Sequence, residues 1–113
     1  MDRQDCVATI AKASTEFLVR LRGREFSHEH YNTLMLTLRA YRDIIRGQDW
    51  LEREVVYWLY YLDLGLRAAL DFFPRTEAER TLINEAQLEC SNLILEILTP
   101  EYMTGPVPDE LQE

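Results

Sequence analysis

Four stretches of this chain place apolar residues at alternating intervals of three and four, with short breaks between them. That spacing returns a side chain to one side of an α-helix at every turn, so each stretch buries its stripe only by packing against another helix. The first stripe is Val7, Ile10, Ser14, Phe17 and Leu21, widened by Leu18. The second is Tyr31, Leu34, Leu38, Tyr41 and Ile45, and the fourth is Ile83, Ala86, Cys90, Leu93 and Ile97. The third is centred on Leu51, Val55, Trp58, Leu62, Gly65, Ala69 and Phe72. No stretch alternates with period two for long enough to make a strand, and the pattern predicts an all-α chain.

Boundary residues agree with the stripes. Gly23 and Gly47 are natural stops after the first two helices, and Pro74 closes the third. Ser27 can cap the second helix, and Asp49 with Glu52 and Thr76 with Glu79 have capping-box spacing. Linkers of about two to five residues then hold consecutive helices antiparallel. The expected fold is an up-down four-helix bundle over residues 1–98, with a three-helix core crossed by the fourth helix as the alternative. Residues 99–113 hold three prolines, a glycine and four acids, and are expected to form a short acidic tail, mobile or loosely docked.

An apolar share of 47% is enough for a core without metals or disulfides. No basic segment leads into an apolar one at the start, and no uncharged run approaches the ~20 residues that span a bilayer. A cytoplasmic protein with no membrane contact is expected. Cys6 and Cys90 are too few for a disulfide framework and lack metal-ligand spacing, so both are expected to stay unpaired, with Cys90 in the core.

Charge is unevenly placed. Residues 1–75 hold 11 acids and 11 bases, whereas residues 76–113 hold nine acids and the single base Arg80, which accounts for the net −8. A one-signed field bears on partner choice more than on fold. Glu85, Glu89 and Glu96 fall near one another on the fourth helix, either as a solvated face or as a patch for a basic protein surface.

The third helix is unusual because the run VVYWLYYL is apolar or aromatic on every side. With Trp58 at the core centre, Val56 and Tyr60 fall on the far side and Tyr57 and Leu64 on one flank of it, rimmed by Arg53, Asp63, Arg67 and Asp71. Tyrosines with a charged rim are enriched where proteins bind proteins. Gly65, inside this helix, points to close approach by another helix, through Ala8, Ala11 or Ala13.

Catalytic and cofactor motifs are not found. Glu25 and His28 have the Glu-x-x-His spacing of di-iron bundles, but those sites need a second copy and two more glutamates. An Arg-x(4–6)-His spacing like that of HEPN-type ribonucleases falls in the first interhelical turn, where capping and helix-end roles account for it. The clusters Arg20, Arg22, Arg24 and Arg42, Arg46 lie at opposite ends of a hairpin, and with the acidic net charge this argues against direct nucleic-acid binding. No catalytic residue, metal or cofactor is therefore expected.

The leading expectation is a small acidic protein-binding module that neutralises a basic partner by occlusion, as an immunity protein, antitoxin or phage-encoded inhibitor would. Its partner would be a basic nuclease or nucleic-acid-binding complex. Its contact residues would be Arg53, Val56, Tyr57, Tyr60, Leu64, Arg67, Glu85, Glu89 and Glu96. The alternative is a structural or regulatory subunit that forms a homodimer through helix three.

Overall fold

A computed structural model describes residues 1–100 and shows four helices: α1 (Arg3–Arg22), α2 (His28–Ile44), α3 (Arg53–Phe72) and α4 (Glu77–Leu98). The expectation for the tail falls, beyond Pro100, outside the described residues. Among the described residues no helix is long and apolar enough to cross a membrane.

Three of the four helices begin at a side-chain cap. Asp2 and Asp5 form a reciprocal capping box at α1, an N-terminal signal the stripes do not include. Ser27 caps α2 through the His30 amide, and Thr76 caps α4 through the Glu79 amide. The Glu79 carboxylate accepts from the Arg75 amide, one residue beyond the Thr76 amide that a full box would use.

The expected Asp49–Glu52 box does not form. The α3 N-cap is Glu52, and it makes no side-chain cap bond. Its carboxylate is taken instead by Arg3 at 2.8 Å and by the Tyr41 hydroxyl at 2.5 Å. The connection from α2 to α3 therefore covers residues 45–52, longer than the expected two to five.

Contacts give the directions and the order in space. α1 packs against α2 and α3, and α4 packs against α3 and α2. Arg3 meets Trp50 and Glu52 at the start of α3, and Leu18 meets Gly65 further along, so α1 and α3 run the same way. Five-residue and four-residue connections make α1–α2 and α3–α4 antiparallel hairpins. Directions thus alternate along the chain, as expected of an up-down four-helix bundle. Around the bundle, however, the order is α1, α2, α4, α3, and among the described residues α2 and α3 do not pack on each other. The long 45–52 connection crosses that diagonal.

The core collects Phe17, Leu34, Leu38, Tyr41, Leu59, Leu62, Leu66 and Ile83, all fully buried, with Cys6 and Cys90 among them. Both cysteines are unpaired, as expected, and they sit on diagonal helices that do not pack together. Burial pushes the Cys90 thiol up to about 12 and raises that of Cys6 as well. Gly65 does mark a close approach of α1, but the partner is Leu18 and not an alanine. A Cβ added there would lie 2.6 Å from Leu18 Cδ2.

Candidate protein-interaction surface

α3 carries two stripes. Val55, Leu59, Leu62, Leu66, Ala69 and Phe73 are buried, so the core face is centred on Leu62. Trp58, expected at the centre, is only half-buried at the edge of the core. A helix apolar all round supplies a period but no phase, and its largest side chain is a poor guide to the core centre. The difference is about 40°, which keeps Val56, Tyr57, Tyr60 and Leu64 on the outer side and turns Tyr57 and Leu64 from its flank toward its middle.

On that far side Val56, Tyr57, Tyr60 and Leu64 are 39%, 50%, 62% and 47% exposed. Arg53 and Arg67 are exposed beside them, and Arg67 donates to Asp63 at 2.9 Å. Tyr61 belongs with this group: a Trp58-centred helix puts it about 60° from the core centre, whereas from Leu62 it is about 100° away and exposed. Its ring lies 4.7 Å from Tyr57 and 5.5 Å from Tyr60, while Tyr57 meets Trp58 edge-on at 5.0 Å. The rings support one another, so little rotamer freedom is left to lose on contact.

The acids of α4 have a different setting. Glu89 accepts a bond from Arg39 at 2.7 Å and another from the Tyr31 hydroxyl, and Glu96 accepts from Arg42 at 2.5 Å. Arg39 and Arg42 come from α2, which lies alongside α4. Burial, followed by the bond to Glu89, raises the Tyr31 hydroxyl strongly, so it stays a proton donor. Only Glu85 of the three expected acids lacks an ion-pair partner among the described residues. It lines an open groove of about 360 Å³ with Phe26, His28, Tyr31 and Leu82.

The histidines are engaged locally. His30 Nδ1 lies 2.7 Å from Ser27 Oγ, and its Nε2 faces Glu16 across the α1–α2 hairpin. Among the described residues no three His, Cys, Asp or Glu side chains are grouped to hold a metal ion.

A second aromatic site was not visible in the sequence. The Arg3 guanidinium lies 3.7 Å from the Trp50 ring centroid and donates to the Trp50 carbonyl at 2.9 Å. With Glu52 and Tyr41 it clips the start of α1 to the start of α3. Burial pulls the Glu52 carboxyl up, but the bonds from Arg3 and Tyr41 outweigh it and hold the group below its usual range. These partners are 49 and 11 residues away in sequence, beyond any local pattern.

No protein-family model, curated protein or solved structure matches this chain.

Proposed function

We propose that the chain is a non-catalytic protein-binding module whose contact surface is the outer face of α3. One observation carries the reading: Val56, Tyr57, Tyr60 and Leu64 form a continuous exposed stripe on a helix whose opposite face is fully used by the core. Two tyrosines beside arginines have the composition of binding hot spots, and helix rigidity holds them in place before contact.

Occlusion of a basic partner remains part of the proposal, with the labour divided differently from the charge-led expectation. The net −8 still attracts a basic surface at long range. At contact, Glu89 and Glu96 are already bonded within the chain, so of these three α4 acids Glu85 is the one without an ion-pair partner among the described residues.

The test is affinity capture from the native host with three baits: the unaltered chain, a Tyr57→Ala/Tyr60→Ala variant and a Glu85→Gln variant. A specific partner kept by the first and third and lost by the second is the expected result. Loss with Glu85→Gln alone would place the contact on α4.

A further inference from the structure

The outer stripe of α3 has a regular spacing of its own. Arg53, Tyr57, Tyr60, Leu64, Arg67 and Asp71 follow one another at intervals of four, three, four, three and four. The buried stripe Val55, Leu59, Leu62, Leu66, Ala69 and Phe73 has the same intervals, displaced by two residues or about 200°. The core face meets α1 and α4. The outer face repeats a two-helix packing pattern over about 27 Å, and none of the other described helices packs against it.

We propose that this face is the seam of a twofold-symmetric homodimer, with α3 of one copy lying antiparallel to α3 of a second. The proposal rests on reading the face as a contact surface and names its occupant. With the axis beside Leu62, Arg53 stands opposite Asp71 of the second copy, Tyr57 opposite Arg67 and Tyr60 opposite Leu64. Symmetry repeats each pair, so the seam holds six layers. The end layers pair opposite charges, the next put a guanidinium against a tyrosine ring, and the central ones pack a ring on an aliphatic chain.

Other registers fit worse. With the axis beside Tyr60, Arg53 would meet Arg67. In a parallel pairing every residue would meet its own copy, Arg53 on Arg53 and Asp71 on Asp71. In the chosen register Asp63 does approach its copy near the axis, but Arg67 already holds it at 2.9 Å. On the other side of the axis Tyr61 approaches Tyr61. A single-helix seam lies at or below about 1,200 Å², so association should be weak and concentration-dependent.

Sedimentation velocity of the full chain over the micromolar range tests this. The weight-average mass should rise from 13.4 kDa toward twice that value. Arg53→Asp alone and Asp71→Arg alone should each weaken self-association about tenfold or more, because like charges then meet at both ends. A chain carrying both changes should regain it. The two single variants mixed should associate with each other and not with themselves. Circular dichroism of each variant confirms that the helices persist.

A mass of 13.4 kDa at every concentration overturns the proposal, as does a dimer indifferent to the reversals. If the chain stays monomeric yet holds a different protein through Tyr57 and Tyr60, self-pairing falls and the contact surface stands.

Discussion

The α4 face toward α2 and the outer face of α3 both carry functional groups at their surface, but only one has had its demands met inside the chain. Glu89 and Glu96 are held by Arg39 and Arg42, whose long side chains cross from α2. Among the described residues, Tyr57, Tyr60 and Tyr61 have aromatic neighbours only on their own helix: one another and Trp58. A surface carboxylate needs a single cation within reach, and an arginine on the next helix supplies it at little cost. A hydrophobic stripe needs an area of matching shape, which no single side chain provides. Charge on a helix is therefore weaker evidence of a binding face than exposed aromatic area.

The largest expected effect tests the phase of α3, on which the comparison depends. Leu62→Ala should cost about 3 kcal/mol in denaturant unfolding, whereas Tyr60→Ala should stay within about 0.5 kcal/mol. If Trp58→Ala costs more than Leu62→Ala, the outer face has been misplaced.

Tyr31→Phe comes next. It removes one of the two donors on Glu89, leaving Arg39, and should cost about 1 kcal/mol. A negligible change would mean the α4 acid is as free as the α3 tyrosines.

Arg24→Gly should raise stability by about 1 kcal/mol, because Arg24 holds a positive φ of 62° at the end of α1 while Gly23 beside it does not. It touches neither face and gives a sturdier background for comparing them.

The clip at the start of α3 has a pH signature. Glu52 stays ionised in the fold at acidities where the unfolded chain, with an ordinary carboxyl near 4.3, has begun to protonate it. Its stabilisation is full above that value and is lost as pH falls through the lower folded one. The stability difference between the unaltered chain and Arg3→Met should therefore shrink between pH 7 and pH 3. A difference independent of pH would remove Glu52 from the clip.

The smallest effect is the coupling between Arg42 and Glu96. A double-mutant cycle should give about 0.5 kcal/mol at low salt and nearly nothing at 1 M. No coupling at low salt would return Glu96 to the pool of free acids.

Helix class, number and order were legible because α2 and α4 each have one polar side, which gives their stripes a phase. The fourth stripe, Ile83, Ala86, Cys90, Leu93 and Ile97, is the whole buried set of α4. α3 has no polar side, so its period was readable and its core centre was not. Its outer residues were still identified, since Arg53, Arg67 and Asp71 mark the solvent side from either starting point. The spatial order was hidden because Glu52, which looked like half of a capping box, answers to Arg3 and Tyr41 instead. Gly23 shows the same limit at a smaller scale. A glycine marks where a helix stops but not which residue takes the left-handed turn, and here Arg24 does. The pairing of Glu89 and Glu96 needed the position of α2 beside α4, which no single stripe contains.

The diagonal connection also bears on how the chain reaches this state. Each hairpin closes over a few residues, so α1–α2 and α3–α4 can form quickly and independently. Joining them requires α1 to find α3 and α2 to find α4 across the loop entropy of residues 45–52. If the hairpins dock last, Arg3 reaches Trp50 and Glu52 only once docking is complete, and Arg3→Met should speed unfolding while leaving the folding rate unchanged. Contacts made after the barrier slow unfolding without speeding folding. The residue that opens α1 would thereby add to the time the two halves stay together, beside the core they share.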